Sequence, residues 1–337
     1  MKAVYLEAPK NIRLTDIPEP VAEPGRAIVK IRAASICGSD VGAYRGHNVL
    51  VSYPRIIGHE AAGEIIQIDA NEAGLKVGDR VVLDPYVYCG KCYPCSIGRT
   101  NCCENIEVLG VHRDGAMTER FSHPVHLLRK IPDDMPWNLA CLAEPLTIAL
   151  HSIHQAKVKS GEIVTIIGAG PIGLLIGLVA LHYGAIPVLV DILDARLEFA
   201  VSLGIVHTIN SARENVLERI RSIADGGLSH AVIEASGANQ AIRASFDYVS
   251  YAGRIVFTGW PKTDTELPTA LITKKELDVR GSRNSKGEFE EAIELIHSAK
   301  VDVGAVISKT VPFSELPRAV QEQSESPERF LKIISVL

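Results

Sequence analysis

No stretch of this 337-residue chain is apolar for long enough to suggest a membrane span. The longest, around Ile172–Leu181, is broken by glycines and falls well short of the roughly 20 residues a bilayer core demands. The opening MKAVYLEAPK has no apolar h-region, so no signal peptide is expected and the cytoplasm is the expected compartment. Basic residues are not in excess. Lys and Arg number 35 against 40 Asp and Glu, a formal net charge of -5, which argues against nucleic acid or an anionic membrane surface as partner. Internal repeats and low-complexity tracts are also missing. What remains is the composition of an ordinary globular protein, 47% hydrophobic and 22% charged, long enough for two domains.

Seven cysteines are present, and five of them crowd between Cys89 and Cys103. In a chain of this size without a secretory signal, such a cluster reads as metal ligands rather than disulfides. Cys89, Cys92, Cys95 and Cys103 follow the spacing C-x2-C-x2-C-x7-C, and Cys102 is also in reach. Four thiolates close a tetrahedral Zn²⁺ site and leave no position for substrate, so this ion would be structural. Gly90 and Gly98 give the loop the backbone freedom to wrap it. Buried free thiols are the bland alternative, but they have no reason to cluster on a polar, glycine-rich loop.

The first third alternates short apolar runs with turn residues. Residues 27–35, 61–68 and 79–85 read as strands of a mostly antiparallel β domain. The character changes near Glu144. Strands at 162–168, 186–191, 230–236, 254–259 and 277–282 then alternate with helices, among them 171–184 and about 194–203. That alternation implies a parallel sheet covered on both faces. An amphipathic helix at 286–299, another at 313–324 and a last strand FLKIISVL complete the chain, free by pattern to join either domain.

Gly168, Gly170 and Gly173 form G-A-G-P-I-G, with Pro171 and Ile172 between the last two glycines. The motif follows an apolar strand, opens a helix and precedes an acidic strand end, Asp191, a little over twenty positions on. This is a dinucleotide fingerprint, with phosphates at the helix N-terminus and Asp191 on the adenosine ribose. A 2′-phosphate would meet a like charge there, so NAD is expected over NADP. Arg196 lies five residues on; it either softens that preference or is a solvated helix-face arginine.

Four further residues stand out. Cys37 in SICGSD follows a strand, His59 and Glu60 in GHEAAG precede one, and Glu144 in AEPL marks the change of domain. Mixed Cys/His/Glu ligands leave zinc an open position. Singly, each has a bland reading: a core thiol, a loop histidine, a carboxylate at a helix start. Together with the other motifs, GHEAAG, YCGKCYPC and AEPL make the chain resemble the zinc-containing medium-chain dehydrogenases along its whole length, most closely the sorbitol and threonine dehydrogenases.

The resemblance implies an α/β fold: a GroES-like β catalytic domain over 1–145 and 285–337, and a Rossmann doubly wound NAD-binding domain over 146–284. It implies two zinc ions per chain and NAD. The structural zinc would sit on Cys89, Cys92, Cys95 and Cys103, the catalytic one on Cys37 and His59 with Glu60 and Glu144 as carboxylate ligands. Ser39 would take the substrate proton. Many relatives carry a histidine five residues after the cysteine ligand, as the outer end of the proton relay; here Gly42 stands there, with His47 nearby but offset. Asp40 either orients His59 or caps the next helix. Arg283 in VRGSRN matches a substrate-side arginine of sorbitol dehydrogenases. His112, in LGVHRDGA, falls in a run resembling hexonate dehydrogenases, including L-gulonate and L-galactonate 5-dehydrogenases and starvation-sensing dehydrogenases, and is expected with Arg283 and Ser39 to contact the substrate. The expected substrate is therefore a sugar acid, with a polyol or L-threonine as alternatives. An NAD-occupancy sensor without turnover is the alternative from another class. A homo-oligomer, dimer or tetramer, is expected.

Overall fold

The structure, a computed structural model, describes residues 1–337 and divides into two compact units. Unit 1 comprises Met1–Pro145, Phe289–Ala299 and Val303–Leu337, and unit 2 comprises Leu146–Glu288 and Lys300–Asp302.

Unit 1 is built around a seven-stranded sheet. Its central strand, Arg26–Ser35, pairs along one edge with Glu60–Ile68 and along the other with Arg120–Pro124 and then the C-terminal strand Lys332–Val336. All pairings of that strand are antiparallel; the sheet's one parallel pair is Ile307–Pro312 with Lys332–Val336. Alternating apolar residues explain the packing: Val29 and Ile31, Ala61 and Ile65, Val81 and Leu83 join one core with Leu6, Met117 and Ile333. Lys2–Ala8 and Asn11–Asp16 form an additional hairpin that the strand pattern had not singled out.

Register decides where the chemistry lies. Ser35 pairs with Glu60 on one side and with Ile334 on the other. Cys37, two residues past Ser35, and His59, one before Glu60, therefore leave the same end of adjacent strands. Gly58 makes the approach possible. It has φ +97, and a Cβ there would lie 2.4 Å from Met117 Cγ.

Unit 2 carries a six-stranded, wholly parallel sheet in the order His207–Asn210, Ile186–Asp191, Ile163–Ile167, Ser229–Glu234, Val249–Phe257, Asp278–Gly281. In chain order this is 3-2-1-4-5-6, the doubly wound dinucleotide-binding arrangement. Its strands are near-continuous β-branched runs such as IVTII, because helices cover both faces. The strand expected at 254–259 begins five residues earlier, at Val249, directly out of the preceding helix. The helix expected over 286–299 spans Phe289–His297, since residues 286–288 form the approach whose Glu288 carboxylate is turned back onto the Lys286 N–H.

Candidate active site and cofactor sites

Cys37 Sγ, a ring nitrogen of His59 and a carboxylate oxygen of Glu60 all lie within 4.8 Å of one another. His59 and Glu60 are buried, Cys37 half-buried. Asp40 lies in the first turn of the helix Gly38–Tyr44, three residues after its N-cap Cys37, and accepts from the Cys37 N–H at 2.9 Å and the Gly58 N–H at 3.1 Å. Its carboxylate stands 3.9 Å from His59 Nδ1, beyond hydrogen-bond range. Capping is thus the role its hydrogen bonds show, and it ties the Cys37 and His59 loops together.

The Glu60 carboxylate accepts from the Ser35 hydroxyl and the Lys332 ammonium, all three groups buried. Glu144, in the first turn of the helix Ala143–Ala156, accepts from the Tyr86 hydroxyl and is 5% exposed. Its oxygens are not part of the 4.8 Å cluster. Lys332, Ser35 and Tyr86 carried no sequence signal. Each arrives through strand register or loop path, with no motif around it.

Charge tests whether a cation fits. Burial raises the pKa of Glu144 to about 7 and raises Asp40 as well. Burial also disfavours charge on His59, yet the neighbouring Cys37, Asp40 and Glu144 outweigh it and push the imidazole well above its ordinary value. Such crowding of anionic side chains in a dry site is what a divalent ion relieves, and the S, N, O donor set suits zinc. Ser39 Oγ lies 3.5 Å from His59 Nε2, beside the cluster. Gly42 carries no side chain, and His47 is exposed, its N–H bonded to the Gly42 carbonyl at 2.8 Å.

The second cluster brings the sulfurs of Cys89, Cys92, Cys95 and Cys103 within 4.8 Å of one another. Cys103, not Cys102, completes it. Cys92 Sγ lies 3.4 Å from Cys95 Sγ and 3.8 Å from Cys103 Sγ. A tetrahedron with Zn–S bonds of about 2.3 Å has edges of about 3.8 Å, so the cage fits the ion. The N–H groups of Cys89 and Asn105 donate to Cys103 Sγ at 3.3 and 3.4 Å. Backbone N–H groups of Lys91 and Cys92 bring the Cys89 thiol down to about 6, favouring the thiolate a metal needs.

In unit 2, Gly168 has φ +106, and a Cβ on Gly173 would sit 1.7 Å from the Gly168 carbonyl oxygen, so only glycine lets helix Pro171–His182 start this close to its strand. Pro171 and Ile172 fill its first turn. Asp191 ends the adjacent strand, its carboxylate accepting from Ala169 N–H at 2.6 Å and from Ile192 and Leu193 N–H at 2.7 and 3.0 Å. A Cβ at Gly170 would lie 3.9 Å from Arg196 Nη1, so that guanidinium turns toward the glycine loop rather than out into solvent. Arg283 stacks over the Trp260 ring at 5.7 Å. His112 accepts from the Val108 N–H at 3.1 Å and lines a cavity of about 490 Å³ with Arg26, Arg55, Arg113 and Arg120. That cavity shares no lining residue with the Cys37–His59–Glu60 cluster.

An open mixed-ligand metal cluster, a closed four-cysteine cage and a Rossmann fingerprint together define a zinc-dependent dehydrogenase. Comparison agrees: residues 23–133 match the family "Alcohol dehydrogenase GroES-like domain" and residues 171–298 match "Zinc-binding dehydrogenase". The chain is 52% identical over 337 residues to an uncharacterized zinc-type alcohol dehydrogenase-like protein of Haemophilus influenzae, covering 100% of this chain and 98% of that one. It is 32% identical to the L-galactonate-5-dehydrogenase of Escherichia coli, covering 98% of each. The crystal structure of the short chain alcohol dehydrogenase RspB of Escherichia coli CFT073 with cofactor NADH superposes with a TM-score of 0.94 at 32% identity, covering 100% of this chain and 99% of that one. The chain belongs to the zinc-containing alcohol dehydrogenase family and is an enzyme of that family.

Proposed function

We propose that the enzyme oxidises a secondary hydroxyl of a sugar acid, of the L-gulonate or L-galactonate type, to the ketone, with NAD as acceptor. The observation that carries the chemistry is the Cys37–His59–Glu60 cluster with the Ser39 hydroxyl beside it. Cys37, His59 and Glu60 would hold the catalytic zinc, with Glu144 as a carboxylate next to it; Cys89, Cys92, Cys95 and Cys103 would hold the structural one. When bound, zinc supplies Lewis acidity toward a hydroxyl and the nicotinamide accepts hydride. Ser39 Oγ takes the substrate proton, and with Gly42 in place of an acceptor side chain the proton passes on to water or a cofactor hydroxyl. The glycine loop takes the pyrophosphate, Asp191 the adenosine ribose, and Arg196 stands at the loop beside them.

Arg283 is the cation we assign to the substrate carboxylate, its guanidinium held in orientation by Trp260. His112 is assigned no contact with substrate, since it faces a different cavity. The likeness to L-galactonate-5-dehydrogenase supports the substrate class. On this reading the enzyme works in the cytoplasm as a homo-oligomer, a dimer or tetramer that sedimentation would distinguish. No helix is long and apolar enough to cross a membrane.

An NAD-reduction screen over aldonates, polyols and L-threonine tests the proposal. Turnover confined to hexonates is the expected result. Good activity on sorbitol or threonine with none on any aldonate sinks the sugar-acid reading and leaves the dehydrogenase in place.

A further inference from the structure

We propose that Tyr86 is a positioning residue that holds the Glu144 carboxylate back from the Cys37–His59–Glu60 cluster and so keeps a coordination position open for the substrate hydroxyl. The inference rests on the reading of that cluster as the catalytic zinc site.

Two carboxylates compete for the same metal. Glu60 lies inside the cluster although Ser35 and Lys332 both donate to it. Glu144 lies outside it, with the Tyr86 hydroxyl donating to Oε1. Both partners of this second contact are fixed independently. The Glu144 backbone belongs to a helix turn, while Tyr86 is paired with Val108 across a short two-stranded ladder and donates its N–H to Asp84 Oδ1 at 3.2 Å. Tyr86 is 6% exposed, so its hydroxyl has little water to turn to and giving up the Glu144 bond would strand a buried donor. A carboxylate that rotated onto the metal would have to break that bond. The latch is therefore a hydrogen bond, and the ring's bulk alone would not supply it.

Tyr86→Phe separates the two, since it keeps the ring and removes the donor. The measurements are made on full-length enzyme with two metals bound, and with cobalt(II) exchanged into the open site. In Tyr86→Phe, Glu144 joins the metal. The cobalt visible bands shift as a carboxylate oxygen takes the fourth position from water, and chelator extraction from that site slows about tenfold, the scale of one hydrogen bond to a charged group. Tyr86→His, which retains a donor, moves both readouts back toward wild type. Glu144→Ala, made with Tyr86 intact, leaves the wild-type cobalt spectrum unchanged, and it tests the latch even where Tyr86→Phe fails to fold. Unchanged or faster extraction with an unchanged spectrum in Tyr86→Phe, or a spectrum altered by Glu144→Ala, overturns the latch. Metal analysis distinguishes the failure of the underlying reading: one zinc per wild-type chain removes the open site itself.

Discussion

The two metal clusters of unit 1 are built in opposite ways. The cysteine cage comes from fifteen consecutive positions, Cys89 to Cys103, on a loop whose ligands are mostly half-buried. The open cluster gathers Cys37 and His59–Glu60 from neighbouring strand ends, and buried Lys332 from the far end of the chain supports it. A cage closed by local spacing needs its metal to hold the loop. A cluster assembled by sheet register has a scaffold that stands without the metal, and so can leave a position open. On the proposed assignment the first device would serve stability and the second chemistry.

That contrast breaks most visibly under cysteine replacement. Cys37→Ser should lower kcat on the order of a thousandfold or more, the scale of lost metal polarisation, with the melting temperature nearly kept. Cys92→Ser should do the reverse, lowering melting temperature and soluble yield while each folded molecule keeps most of its turnover. Steady-state kinetics normalised to folded protein, beside thermal melts, checks both. If Cys37→Ser melts as early as Cys92→Ser, the open cluster is also a folding element and the contrast fails.

Arg283→Ala comes next. Loss of a partly desolvated bidentate contact to a carboxylate should cost about 2–4 kcal/mol, roughly 30- to 1000-fold in kcat/KM on L-gulonate or L-galactonate. The loss should be smaller on sorbitol, which offers no charge. Because the readout is a ratio between substrates, a general folding defect cancels, and equal losses on both would reduce Arg283 to a structural partner of Trp260.

The same contrast explains what the sequence made legible. The cage, the glycine loop and Asp191 are local patterns, and the structure brings each set together: Gly173 against Gly168, Asp191 onto the Ala169 N–H, Cys103 into the cage. Tyr86, Ser35 and Lys332 were invisible, because nothing in their neighbourhoods foretells a pairing register or a contact 272 residues away. Asp40 was half legible. Its place at a helix start predicted a cap, and the fold adds the bond to Gly58 that only tertiary structure reveals.

A smaller effect is expected at Asp191. Asp191→Ser should narrow the NAD-over-NADP preference about tenfold, by removing a like charge from a 2′-phosphate while Arg196 remains nearby. Parallel kcat/KM measurements with the two cofactors check it. A wild-type enzyme that already uses both equally would place the ribose away from this carboxylate.

The last effect, on stability rather than turnover, sharpens the comparison with a set that only looks like a third metal site. In unit 2, His151 and His154 lie one helical turn apart, and Glu288 Oε1 stands 2.8 Å from His151 Nδ1 and 3.4 Å from His154 Nδ1. Those are direct hydrogen-bond distances; an ion would need to sit where the bonds run. Burial works to raise the Glu288 pKa, but the hydrogen bonds from His151 and His154 prevail and hold it at about 2, against an ordinary 4.5. A carboxylate with a depressed folded pKa stabilises the fold above its unfolded pKa and loses that contribution as pH falls toward the folded one. Glu288→Gln should therefore cost about 2 kcal/mol at pH 7, and the gap from wild type should narrow as pH drops below about 4.5. Zinc content should stay at two per chain in both proteins. Thermal melts of the pair at pH 7 and pH 4, with metal analysis of each, provide the check. A gap that widens on acidification would mean that the histidines stabilise the protonated carboxyl, and loss of a zinc ion with Glu288→Gln would turn this cluster from a clasp into a ligand set.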